Sequence, residues 1–230
     1  MRVLITAGNT QTPIDRVRCL TNIFTGRTGG RIAVEARARG HAVTLLTSHP
    51  DTVVGVEGLA VNRYRTFDDL HALMAELVPA GQFDAIIHTA AVSDYALAGL
   101  FESQTSSAIS AGAVSGKLSS RHPELWMKFT PTPKLVDFVR GLWHFAGLLV
   151  KFKLEVGVTD DELLAIAARS RAQSDADFIV ANTLDRYETD AWLIDRSDSA
   201  SRVVRAELPS VLLNRLEQVF SAPPGTDRVN

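Results

Sequence analysis

The chain has 230 residues, 46% hydrophobic and 22% charged, with a formal net charge of −2. That length can bury a sizeable core in one compact domain, and so small a charge excludes an electrostatic grip on nucleic acid or on a membrane surface. No apolar run approaches the roughly 18 residues that a membrane span needs. The N-terminus enters a strand with no signal-peptide core, and the single Cys19 allows no internal disulfide, so a reducing cytoplasm is the expected compartment. With no base partner evident in sequence, Cys19 reads as a passive side chain rather than a nucleophile.

Val3-Leu4-Ile5 reads as a short apolar strand that breaks at Gly8. A long polar segment leads to Gly26, Gly29 and Gly30, which open a helix predicted from Arg31 to Arg39. Gly40-His41 stops that helix, and strands follow at Ala42–Thr47 and Val61–Tyr64. Thr66 with Asp69 forms a capping-box pattern for a helix to about Val78, closed by Pro79 and Gly81. Asp84–Thr89 is apolar on both faces, as central parallel strands are.

Residues 90–116 are rich in Ser, Ala and Gly with little periodicity, so a mobile loop is expected there. A strand is expected at Leu125–Phe129, then a break at Thr130-Pro-Thr-Pro133 and a helix over Lys134–Arg140. Gly147–Leu154 reads as a buried strand and Thr159–Glu162 as a second capping box, with its helix running to about Ser174. Asp177–Asn182 is a further core strand. Asp190–Asp195 and Val203–Leu208 suggest an antiparallel pair, Ser210 a helix cap, and 222–230 a loose tail. The order is that of a doubly wound, mostly parallel, Rossmann-like α/β sheet with an antiparallel C-terminal extension, in a single domain over 1–230.

A strand feeding glycines and a helix N-terminus is a device for holding phosphate: free N–H groups and the helix dipole favour an anion, and glycine permits close approach. The same pattern also fits an ordinary strand–loop–helix connection. Roughly twenty residues separate Gly8 from the glycine cluster, which disfavours the tight G-x-G-x-x-G turn of a plain dinucleotide fold. Gly116-Lys117-Leu118 is not a P-loop, because Ala111 replaces the first glycine and Leu118 the magnesium-binding hydroxyl. A short-chain reductase would need Tyr-x-x-x-Lys, but Tyr64, Tyr95 and Tyr187 are followed at that spacing by Asp68, Gly99 and Ala191. Ligands of open α/β sheets bind beyond the C-terminal strand ends. Gly8, Thr10, Asn22, Ala90–Tyr95, Phe152, Lys153, Glu155 and Asn182 collect at that edge.

These blocks carry a resemblance. Ile5-Thr-Ala-Gly-x-Thr-x-x-Pro-Ile-Asp15, Val17-Arg18, Thr21-Asn22-x-x-Thr-Gly-x-x-Gly29, His88-x-Ala-Ala-Val-Ser-Asp-Tyr95, Gly116-Lys-Leu-Ser-Ser120, Thr132-Pro-Lys134, Phe152-Lys-Leu-Glu155 and Ala176-Asp-x-Ile-Val-Ala-Asn182 are similar to phosphopantothenoylcysteine synthetase, the phosphopantothenate–cysteine ligase, in its stand-alone form. The resemblance runs from Val3 to about Asn182 and weakens beyond. It implies condensation of 4′-phosphopantothenate with L-cysteine in coenzyme A biosynthesis, through an acyl-nucleotidylate formed from CTP or ATP with Mg²⁺, in a homodimer, with no flavin. CTP is the preferred expectation and ATP the alternative; the magnesium ligands are not assigned. A non-catalytic nucleotide-binding module of the same fold is the other reading.

The resemblance also implies residue roles. Asn22 would bind the acyl-nucleotidylate, and Lys117 would close over the triphosphate. Gly26, Gly29 and Gly30 would offer backbone N–H groups to phosphate. Gly8, Thr10, Ala91 and Asp94 would contact the nucleotide, Phe152 would lie near its base, and Lys153 would be a second phosphate ligand. The chain departs from the family pattern at Asn9, Ile23, Thr25 and Gly30.

Overall fold

The computed structural model describes residues 1–104 and 106–222; the expected loose tail lies, from 223 on, outside the described residues. An eight-stranded sheet forms the centre. Its strands are β1 (Arg2–Ala7), β4 (Ala42–Thr47), β5 (Ala60–Arg63), β6 (Ala85–His88), β10 (Leu148–Glu155), β11 (Phe178–Thr183), β12 (Asp190–Ile194) and β13 (Ala200–Val204), in the order β13-β12-β11-β10-β6-β1-β4-β5. The six from β5 to β11 are parallel, and β12 and β13 add antiparallel edges. Numbered by chain order, the parallel strands run 3-2-1-4-5-6, so the chain reverses its winding between β1 and β6.

The apolar runs decide this core. Val3, Ile5 and Ala7 of β1 face α1 (Arg27–Ala38) and α5 (Leu208–Ser221) through Ile32, Ala36, Leu212 and Leu216. Leu4 faces the other layer, where α2 (Phe67–Ala80) and α3 (Leu135–Gly141) contribute Leu70, Met74, Leu135 and Val139. Both faces of β1 are thus closed to water, each buried Leu or Ile contributing about 1.5–3 kcal/mol. α4 (Asp160–Gln173) covers β11 with Leu163 and Ala167. Both predicted capping boxes form, Thr66 with Asp69 and Thr159 with Glu162.

Two insertions depart from the strands that flank the reversal. After β1 comes a hairpin, β2 (Gln11–Pro13) with β3 (Cys19–Thr21). After β6 comes a three-stranded antiparallel sheet, β8-β7-β9, built from β7 (Tyr95–Phe101), β8 (Ala108–Ser110) and β9 (Trp126–Pro131). Residues 90–116, expected as a loop, therefore contain two strands; their long-range pairing replaces the periodicity that the segment lacks. The hairpin and the small sheet share a satellite core of Ile14, Leu100 and Leu118.

Other boundaries shift too. α1 begins at Arg27, four residues before the predicted start, because Gly26 in left-handed backbone (φ 79°) supplies the turn. α2 carries Pro79 in its last turn instead of ending there. β9 continues through Thr130 and Pro131, where a break was expected. β13 ends at Val204, and Leu208 belongs to α5, whose cap position is Glu207 rather than Ser210.

Candidate functional site

The winding reversal opens a crevice at the C-terminal ends of β1 and β6, and α1 starts directly above it. Gly26 lies on the Gly8 backbone so closely that a Cβ would overlap the Gly8 amide. A Cβ on Gly29 would stand 2.6 Å from Ala7 Cβ, so glycine is what seats the first turn of α1 on the end of β1. No side chain caps this helix, and the first turn contains no acidic residue. The Gly30 N–H is taken up by the Gly26 carbonyl at 3.0 Å. The free N–H groups are therefore those up to Gly29, and the expected contribution of Gly30 falls away, since the helix starts earlier than its sequence suggested.

From Gly8 a continuous hydrogen-bonded chain crosses the crevice. The Gly8 carbonyl accepts from Ala91 N–H (2.8 Å), and the Ala91 carbonyl accepts from Thr10 N–H (3.3 Å). The Asn22 amide nitrogen donates to that same Ala91 carbonyl at 3.1 Å. Buried Asn9 donates to the Asn22 carbonyl at 2.6 Å, fixing the residue from its backbone side. Thr10 is fully buried, and its hydroxyl accepts from Ser93 N–H at 2.8 Å. Thr132 holds the next turn: its hydroxyl donates to the Ser93 carbonyl (2.7 Å) and its N–H to the Asp94 carbonyl (2.9 Å). The exposed Asp94 carboxylate pairs with Lys134 at 3.3 Å.

Gly8, Thr10, Asn22, Gly26, Gly29, Ala91 and Asp94 thus come together, though Thr10 serves the scaffold. Lys117 makes none of these contacts itself and is tied to them only through its chain neighbours. The Asp15 carboxylate, with no exposed surface, accepts from Arg18 Nη2 (2.6 Å), from the N–H groups of Val17 and Arg18 (2.8 Å each) and from Leu118 N–H (2.9 Å). Arg16 N–H donates to the Gly116 carbonyl at 3.1 Å. Lys117, itself exposed, is therefore pinned on both sides to the hairpin that carries Asn22. The Arg18 guanidinium, above all, holds the Asp15 carboxyl well below the usual carboxylate range. Lys153 does not stand free: it pairs with Glu155 at 2.9 Å. Phe152 is half-buried against the α1–α5 side of the core.

Below the crevice lies a network that sequence reasoning left unassigned. Thr6 Oγ1 and His88 Nδ1 are 2.9 Å apart, and the same hydroxyl accepts from Ala90 N–H at 3.3 Å. Lys151, the register partner of His88, is buried and donates to Ser174 Oγ (2.7 Å) and the Ser170 carbonyl (2.9 Å). Burial, reinforced by Lys151, brings the His88 pKa down to about 4; burial brings that of Lys151 down to about 8. His88 opens the His88–Tyr95 motif, but only the strand pairing shows that it braces Thr6, whose hydroxyl holds the Ala90 N–H.

Fold and site together define a Rossmann-type α/β domain with an uncapped helix start and a flap, formed by the β2–β3 hairpin and the β8-β7-β9 sheet, inserted at its winding reversal. The chain belongs to the DNA/pantothenate metabolism flavoprotein C-terminal domain family, whose model matches residues 1–207. It is 31% identical over 224 residues to the coenzyme A biosynthesis bifunctional protein CoaBC of Thermococcus kodakarensis, covering 95% of this chain and 51% of that protein. The chain thus spans about half the length of that relative. The DNA/pantothenate metabolism flavoprotein from Streptococcus pneumoniae superposes with a TM-score of 0.82 at 29% identity, over 95% of this chain and 99% of that one. The H337A mutant of Cab2, solved with phosphopantothenate-cysteine, shares the fold at 16% identity (TM-score 0.74; 94% and 86% covered).

Proposed function

We propose that this chain is a phosphopantothenate–cysteine ligase of coenzyme A biosynthesis, using CTP or ATP and passing through an acyl-nucleotidylate. The observation that carries the reading is the Asn22 amide docked on the Ala91 carbonyl beside an uncapped helix N-terminus. Membership of a family whose relatives are named for coenzyme A biosynthesis supports it.

In the first step a carboxylate oxygen of 4′-phosphopantothenate bonds to the α-phosphorus. The bond to the bridging oxygen breaks, and its electron pair leaves with pyrophosphate. Both reactants are anions, so positioning and charge neutralisation carry the catalysis. The N–H groups up to Gly29 hold phosphate, Lys117 neutralises the leaving group, and Asp94 and Phe152 border the nucleoside. In the second step the cysteine amine attacks the acyl carbon, the nucleoside monophosphate departs with its electron pair, and the amine loses a proton. Asn22, neutral and both donor and acceptor, steadies the acyl-nucleotidylate for that attack.

Bound Mg²⁺ would supply charge neutralisation at the triphosphate. Mg²⁺ is usually held by one or two carboxylates with substrate phosphates and water, and the exposed Asp94 carboxylate would be one such ligand. Among the described residues no group of three or more His, Cys, Asp or Glu side chains could hold it alone. We further propose a homodimer through the flap, where Tyr95, Trp126, Met127, Leu20 and Ile23 expose apolar surface. Light scattering giving a monomeric mass would remove that assignment.

The deciding assay is pyrophosphate release from CTP and from ATP, with phosphopantothenate and cysteine each present or omitted. The reading requires release that depends on phosphopantothenate and a coupled product that depends on cysteine; no release with either nucleotide overturns it.

A further inference from the structure

Arg205, in the turn between β13 and α5, is a guanidinium with no counter-ion among the described residues. Its Nη2 donates to Thr28 Oγ1 in the first turn of α1, whereas its Nη1 is buried with no hydrogen-bond partner among the described residues. Among the described residues Arg205, Arg27 and Arg31 form no ion pair with a carboxylate. Arg31 Nη2 is held by the Ala206 carbonyl at 2.9 Å, which ties the start of α1 to the segment entering α5. Tyr187 closes the side, its ring edge-on to Phe24 with centroids 5.5 Å apart. Burial and the neighbouring Arg31 both pull the Arg205 pKa below its ordinary value, and Tyr187 opposes them only in part.

This arrangement runs against two ordinary preferences. A helix N-terminus carries partial positive charge and is stabilised by acidic neighbours, yet the first turn of this one has no acidic residue while three arginines gather beside it; the neighbouring Glu188 accepts from Tyr187 Oη at 3.1 Å rather than from an arginine. A buried donor without a partner is destabilising, more so when charged. An anion resolves both at once, and phosphate oxygens match the fork of a guanidinium better than a single point acceptor does.

We infer that Arg205, braced by Thr28 and flanked by Arg31, is a binding residue for the polyphosphate end of the nucleotide, the part that leaves as pyrophosphate. This rests on the nucleotide-dependent reading above. It adds to the backbone N–H groups a cation drawn from the opposite end of the chain.

The test titrates inorganic pyrophosphate into the full chain, by calorimetry and thermal shift, for wild type, Arg205→Gln, Arg205→Lys and Arg31→Gln. The KM values for nucleotide, phosphopantothenate and cysteine are measured in parallel. Arg205→Gln should weaken pyrophosphate binding and raise the nucleotide KM by roughly tenfold or more, the worth of one charge-assisted contact. The KM values for phosphopantothenate and cysteine should stay within about twofold. Arg205→Lys should recover part of the loss. Should Arg205→Gln not fold, Arg205→Lys and Arg31→Gln carry the same test through smaller losses confined to pyrophosphate and nucleotide.

Three results would overturn the inference: pyrophosphate affinity unchanged, or absent in wild type; all three KM values rising together with a lowered melting temperature; or loss confined to phosphopantothenate, which would assign Arg205 to the other phosphate. Failure of wild type to turn over nucleotide would sink the ligase reading, and the pyrophosphate titration would still decide Arg205.

Discussion

Two adjacent glycines of α1 give a test of how this helix is seated. In Gly29→Ala the new methyl would lie 2.6 Å from Ala7 Cβ and 2.5 Å from Thr89 Oγ1. In Gly30→Ala its nearest neighbour is Thr52 Oγ1 at 3.2 Å, a tight contact relieved when one side-chain atom yields by a few tenths of an ångström. Neither residue has positive φ, and both lie within the helix, so each substitution gains up to about 1 kcal/mol of helix propensity and unfolded-state restriction. That common term cancels in the comparison. What remains at residue 29 is overpacking against β1, typically 1–3 kcal/mol, because helix and strand must separate by a substantial part of an ångström. Gly30→Ala is therefore expected near neutral, and Gly29→Ala about 1–3 kcal/mol less stable than Gly30→Ala. At this chain length that is a melting difference of roughly 2–12 °C. Urea unfolding with matched m-values measures it. Equal stability of the two variants would refute the claim that close approach to Ala7, rather than turn-making, is why residue 29 is glycine.

Further expectations concern the crevice. His88 is neutral when folded, with a pKa of about 4 against 6.5 when unfolded, so between those values the unfolded chain binds more protons and stability falls as pH drops. From pH 7 to pH 5 the loss from this group is at most about 2 kcal/mol, and urea midpoints of His88→Gln should show a flatter profile there than wild type. Asn22→Ala should still release pyrophosphate while forming the cysteine adduct roughly 10²-fold more slowly, as loss of one positioned donor does; rapid-quench capture of the acyl-nucleotidylate decides, and normal product formation would remove the residue from the second step. Lys117→Gln should slow the first step itself, so an unaltered single-turnover burst of pyrophosphate would exclude it. Asp15→Ala frees Leu118 N–H and Arg18 together, and should expose the 116–121 segment to protease before the main sheet melts.

The parallel strands and the capped helices were legible because their signals are local. Apolar runs such as Leu4-Ile5 and Ile86-Ile87 bury both faces, and Thr66 and Thr159 bond to their own first turns. Gly26 and Gly29 pointed to the helix start, but its register did not follow from them. Whether the turn lies before or inside the glycine cluster depends on contact with Gly8 and Ala7, and this removed Gly30 from the donors. That Glu155, two residues on along the strand, pairs with Lys153 at 2.9 Å was likewise visible only in the structure.

The flap was not legible, because its strands gain their order from partners far along the chain rather than from their own alternation. Arg18 reaches the Leu118 carbonyl across 100 residues. The sequence by itself determined the doubly wound sheet and the edge where a site would lie, since period and capping act over a few residues. Tertiary structure alone decided which groups meet there, because Asn22 with Ala91 is a pair 69 residues apart and Arg205 with Thr28 a pair 177 apart. Contacts of that span leave no local pattern; they exist only once burial of the core has closed the loops between them.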